Sequence, residues 1–149
     1  MNSIQIDRAL TRRCRGKFLG VFAKDTLPIH LPLERSVLLV CNLDKKSKPG
    51  THWIAMYISN DGVGEYFDSY GRPPENTFRR YLNKKCKIWS YNEMQLQSAS
   101  SYFCGQYCIF YCLYKSIGYD IKSITSLFSG DTGLNDSIVH AFVCNMLSK

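Results

Sequence analysis

The chain has 149 residues, which suits one compact domain over residues 1–149 and is too short for two ordinary ones. Hydrophobic residues make up 45% and charged residues 21%, the balance of a folded globular protein and not of a disordered one. The formal net charge is +7, from 19 lysines and arginines against 12 acids, and it favours nucleic acid or another polyanion as a partner. No apolar run approaches the roughly 18–20 residues that cross a bilayer, and residues 1–15 lack the continuous apolar core of a secretory signal. No membrane partner and an intracellular, reducing location are therefore expected.

In chain order, residues 4–15 predict a short amphipathic helix with Ile4, Ala9 and Leu10 roughly on one side. Pro28 and Pro32 bracket an irregular stretch. Residues 36–42 (SVLLVCN) are a continuous β-branched and aliphatic run, the pattern of a buried strand. A lysine-rich loop follows, with Pro49-Gly50 as its turn. Residues 52–59 (HWIAMYIS) are apolar on both alternating faces, which predicts a central strand covered on both sides. Asn60-Asp61-Gly62 is a turn signal, and residues 64–68 (GEYFD) return as the second strand of a hairpin. Residues 75–83 read as a basic helix and 87–91 as a short strand. The segment 98–104 (SASSYFC) is small and polar and leads into 105–115, apolar nearly all round, as in a helix buried inside a fold. Residues 120–127 and 136–147 each open on an acid and carry helical spacing. Strands in the middle with helices before and after predict an α+β fold.

The seven cysteines (14, 41, 86, 104, 108, 112 and 144) are an odd number, which argues against a disulfide framework. No Cys-x-x-Cys pair occurs, and His30, His52 and His140 do not cluster with cysteines at zinc spacing, so neither a metal nor a cofactor is expected in the chemistry. Cys104 differs from the others by position, where a polar loop enters a buried helix. There the helix dipole favours a thiolate, Ser100 or Ser101 is available as a cap, and Gly105 would let a substrate backbone approach. Cys108 and Cys112 lie further into the helix and read as core.

A thiolate nucleophile needs a base. The hairpin turn sets residues whose numbers sum to about 120–122 opposite one another. His52 therefore faces the neighbourhood of Asp68, the acid that could orient its imidazole. The alternative for Asp68 is a turn residue before Ser69-Tyr70-Gly71. An oxyanion would need donors beside the nucleophile, namely the Cys104 backbone N–H and a side-chain amide from Gln95 or Gln97, which the pattern does not separate.

Together, His52-Trp53, the run Tyr66-Phe67-Asp68-Ser69-Tyr70-Gly71, Gln97, and Ser101-Tyr102-Phe103-Cys104-Gly105 resemble the signature of the adenovirus proteases (adenain). More broadly they resemble the proteases that deconjugate ubiquitin-like proteins. The segments CRGKFLGVF from Cys14 and LFSGDTGLN ending at Asn135 are similar to adenain in particular. This resemblance implies a papain-like fold with permuted order and a sheet packed on the nucleophile helix. It implies Cys104 as nucleophile, His52 as base, Asp68 as orienter and Gln97, in preference to Gln95, as oxyanion donor. It also implies a monomeric endopeptidase that cuts viral precursors after glycine in the host nucleus and virion, activated by viral DNA and by a peptide disulfide-bonded to the enzyme. Cys86 matches the position of the cysteine that takes that peptide, and its other reading is a core cysteine at a strand start. Asp68 stands where mammalian adenovirus enzymes carry glutamate, which favours the alternative of a protease for ubiquitin-like conjugates. A further alternative is a nucleic-acid-binding module that keeps the fold without catalysis.

Overall fold

Successive side chains of a strand point to opposite faces, so a strand apolar at every position needs a core on each side. The computed structural model, which describes residues 1–149, provides both cores. Its five strands are β1 (Phe18–Ala23), β2 (Val37–Asn42), β3 (Trp53–Ile58), β4 (Val63–Phe67) and β5 (Ile88–Tyr91), joined in that order in one sheet. The β2–β3 and β3–β4 pairs are antiparallel and the two outer pairs, β1–β2 and β4–β5, are parallel. Leu38, Val40, Ala55 and Phe67 face one core, and Val37, Leu39, Cys41, Ile54, Met56, Ile58 and Tyr66 face the other.

The larger core is closed by α1 (Ser3–Thr11), α3 (Cys104–Ser116), α4 (Ile121–Thr125) and α5 (Thr132–Leu147), through residues such as Ile6, Leu10, Tyr107, Ile109, Ile124 and Val139. The smaller core is closed by α2 (Asn76–Lys85), which contributes Phe78 and Leu82. Burying α3 on nearly all sides accounts for its lack of a polar face: Tyr107, Cys108, Ile109, Phe110, Tyr111 and Cys112 are all buried. Inside the larger core Glu65 is kept satisfied by the Tyr111 hydroxyl at 2.7 Å, the Ile121 N–H at 3.0 Å and the Lys115 ammonium at 3.2 Å. A buried carboxylate tolerates that position only because it is paired in this way. No helix is long and apolar enough to cross a membrane.

The expected elements are present, with four corrections. The strand β1 falls in a stretch given no strand by the sequence. Its six residues are all half-buried, and the register slips between Phe18 and Gly20, so neither alternation nor an unbroken buried run marks it. The first helix ends at Thr11 with Arg12 as its cap, not near residue 15, and the chain then turns through Arg15 and Gly16 at positive φ. The last helix starts at Thr132, capped by the Asp131 carboxylate on the Leu134 N–H, and Asp136 lies inside its first turns. Finally, neither Ser100 nor Ser101 caps α3. Phe103 holds the cap position without a side-chain hydrogen bond, and the two serines turn back on the Ser98 hydroxyl and carbonyl.

Candidate active site

The β3–β4 register sets Ala55 opposite Phe67, which carries His52, one residue before β3, level with the segment just beyond β4. His52 Nε2 lies 2.7 Å from Asp68 Oδ1, and both side chains are buried. The imidazole also stacks on Tyr70, with ring centroids 4.8 Å apart and planes 24° from parallel. Tyr70 donates its backbone N–H to the same Asp68 oxygen at 2.9 Å. This turn requires glycine at its end: Gly71 has φ +71°, and a Cβ there would stand 2.7 Å from the backbone of Glu93 and Met94. The close crossing brings Asn92 within reach, and its amide clamps Asp68 from both sides, accepting from the Asp68 N–H at 2.9 Å and donating to the Asp68 carbonyl at 2.6 Å.

With Nε2 committed to Asp68, the second ring nitrogen of His52 is the one left for a thiol. Burial pulls the imidazole pKa down, but hydrogen bonding to Asp68 and Cys104 and their negative charges outweigh it and raise the value to about 9. For Cys104, burial pushes the thiol up. The hydrogen bond from His52, the backbone N–H of Trp53, the charge of His52 and the backbone N–H of Gly105 together bring it below its ordinary value. Cys108 and Cys112, deeper in the same helix, are both driven well above theirs, chiefly by burial and further by neighbouring thiols and, for Cys108, by Asp68. Proximity to an imidazole and open backbone donors separates one cysteine from its neighbours.

Cys104 opens into a cleft of about 340 Å³ whose walls include His52, Trp53, Tyr70, Gln97 and Tyr102. Gln97 is fully buried, and its amide is held at both ends: Oε1 accepts from the Ser69 hydroxyl at 2.6 Å and Nε2 donates to the Ser101 carbonyl at 3.0 Å. Nε2 has a second N–H free for the cleft. Gln95, the sequence competitor, is exposed and donates its amide to the Gln97 carbonyl at 3.0 Å, so it supports the loop and does not line the cleft. Gly105 is not among the residues that line the cleft, but packs against some that are. A Cβ on it would meet Met1 at 3.2 Å, Ile6 at 3.4 Å and Trp53 at 3.5 Å, so its missing side chain makes room for the N-terminal segment.

Cys86 is not part of this group. It caps the C-terminal end of α2, packs with the smaller core, and lines a separate cleft with residues 29–33, Lys84, Lys85 and Lys87. Burial raises its thiol pKa. The structure thus brings together His52, Asp68, Gln97 and Cys104 and leaves Cys86 apart. Ser69, Tyr70 and Asn92 were not singled out as site residues in the sequence. The first two stand inside a quoted motif, whereas nothing in the sequence marks Asn92, which acts across 24 residues through backbone groups.

No family model matches the chain. It is 30% identical over 101 residues to the provisionally named thiol protease R355 of Acanthamoeba polyphaga mimivirus, a match that covers 60% of this chain and 33% of that protein. Its fold resembles that of the pS273R protease of African swine fever virus (ASFV), with a TM-score of 0.64 and 20% identity over 93% of this chain and 66% of that one. It also resembles the central domain of the uncharacterised Lpg1148 protein from Legionella pneumophila, with a TM-score of 0.54 and 14% identity over 100% of this chain and 98% of that domain. The chain thus spans a third of the length of its mimivirus relative and 66% of the ASFV protease. The structural likeness carries the α+β fold with its five-stranded mixed sheet.

Proposed function

We propose that the chain is a cysteine endopeptidase in which His52, Asp68, Gln97 and Cys104 act, in that permuted, histidine-first order along the sequence. The observation that carries this reading is a lowered Cys104 thiol facing an imidazole that Asp68 holds at 2.7 Å, at the start of a buried helix. In the reaction the Cys104 thiolate adds to the scissile carbonyl carbon, forming a C–S bond, and the carbonyl electron pair moves to oxygen. The free Gln97 N–H and the Cys104 backbone N–H are the donors for that oxyanion. As the C–N bond breaks, the His52 imidazolium protonates the departing amine. Water, deprotonated by His52, then adds to the thioester, and collapse releases the acid and restores the thiolate. Asp68 keeps the imidazole in the required tautomer.

Glycine on the carbonyl side of an extended chain is the preference that the resemblance to the adenovirus proteases implies, and Trp53, Tyr70 and Tyr102 are the rings that line the cleft beside the thiol. Viral precursor proteins are the proposed substrates, in keeping with the viral origin of two of the similar proteins. Activation by DNA belongs to the same proposal and is supported by the net charge of +7. So does a peptide bound at Cys86, whose cleft of about 560 Å³ is open to solvent.

The test is brief exposure to limiting iodoacetamide at mildly acidic pH, followed by peptide mapping. Ordinary thiols are almost wholly protonated there, so selective labelling of Cys104 that disappears in His52→Ala is the expected result. Equal labelling of several cysteines would end the protease reading.

A further inference from the structure

Two arms meet at the dipeptide Asp68-Ser69. The Asp68 carboxylate holds the base, as described. Ser69, the next residue and equally buried, holds the other arm three times over: its carbonyl accepts the Leu96 N–H at 2.8 Å and the Gln97 N–H at 3.0 Å, and its hydroxyl donates to Gln97 Oε1 at 2.6 Å. An amide has one accepting and one donating end, and only the donating end can stabilise an oxyanion. In a fully buried glutamine the side-chain donor on Oε1, together with the Ser101 carbonyl on Nε2, keeps that end aimed at the cleft. We infer that Ser69 is the positioning residue of the oxyanion site, fixing the Gln97 amide so that its free N–H faces the carbonyl oxygen under attack.

Without the Ser69 hydroxyl, Gln97 Oε1 would be a buried acceptor with no partner, a state that drives the side chain to rotate or admit water. The Ser101 carbonyl still orients Nε2, but as an acceptor it cannot satisfy Oε1. The Asp68–His52 bond does not involve the hydroxyl, so the loss falls on the oxyanion arm and spares the thiolate.

This inference rests on the protease reading, and the experiment separates the two. Alkylation by iodoacetamide forms no oxyanion, whereas hydrolysis of an acetyl-Gly-Gly-aminocoumarin probe does. In Ser69→Ala we expect kcat for the probe to fall by roughly tenfold or more with the Cys104 alkylation rate within about twofold of wild type. Ser69→Thr, which keeps the hydroxyl, should recover most of the loss. The double variant Ser69→Ala/Gln97→Ala should be no slower than Gln97→Ala, since both remove the same donor. Unchanged turnover in Ser69→Ala, or losses that multiply in the double variant, would overturn the inference. Loss of folding, or of alkylation together with turnover, would assign Ser69 to the fold alone and overturn it as well. A wild-type chain that alkylates selectively at Cys104 yet hydrolyses no glycyl probe would instead take down the protease reading, and this inference with it.

Discussion

At the scale of single residues, the proposed protease chemistry would turn on two opposite displacements: the Cys104 thiol is held lower than usual and the His52 imidazole higher, at about 9. Between the two values the thiolate and the imidazolium coexist. Below the Cys104 value the sulfur is protonated and cannot attack, and above about 9 His52 has lost the proton owed to the leaving amine. Turnover should therefore trace a bell whose alkaline limb lies near pH 9, read from kcat/KM against pH. Asp68→Asn removes the charge and hydrogen bond that raise the imidazole, so that limb should move to lower pH. A limb that stays in place would mean Asp68 does not tune His52. Cys104, His52 and Asp68 could be proposed from the sequence because each carries its chemistry in its own side chain at a telling position, whereas Gln97 was separated from Gln95 only by the family resemblance. Asn92 could not be proposed, because its role is to clamp the Asp68 backbone, and a backbone contact leaves no mark on the residue type.

Among the elements, the hairpin β3–β4 and the helices α3 and α5 build the site, and their ends matter more than their middles. The start of α5 illustrates this. Asp131 caps it at the Leu134 N–H, Asn135 donates to the Leu96 carbonyl at 3.1 Å, and Asp136 accepts from the Tyr107 hydroxyl at 2.8 Å and the Ser98 N–H at 3.3 Å. The first turns of α5 thereby pin both ends of the loop that carries Gln97. Asp131→Ala should cost about 1 kcal/mol of stability in chemical denaturation, the usual value of a lost N-cap. A melting curve unchanged by the substitution would show that α5 is held by its packing and not by its cap. The apolar spacing disclosed the body of this helix but placed its start at the wrong acid, because Asp131 and Asp136 are equivalent as letters. Only the fold puts one in solvent at the helix end and the other against Tyr107.

For the molecule as a whole, the charge has a place as well as a sum. Lys45, Lys46 and Lys48 are exposed and line a cleft of about 430 Å³ that shares Met1, Gly50 and Trp53 with the walls of the Cys104 cleft. If a polyanion binds here, replacing the three lysines by alanine should lower the salt concentration that releases the protein from immobilised heparin, since fewer counterions are exchanged. Elution at an unchanged salt concentration would move the polyanion surface to another basic face. By itself the sequence determined the unbroken apolar runs that demand two cores, the hairpin that sets His52 against Asp68, the buried helix behind Cys104, and the net charge. These are local or periodic properties, written at fixed short spacings. The tertiary structure alone decided the edge strand β1, the exposure of Gln95 away from the cleft that Gln97 lines, the packing of the N-terminal segment against Gly105, and the hold of Asn92 and Ser69 on the site. Each of these depends on which distant backbone a side chain meets, and that is settled only when the sheet and helices close on one another.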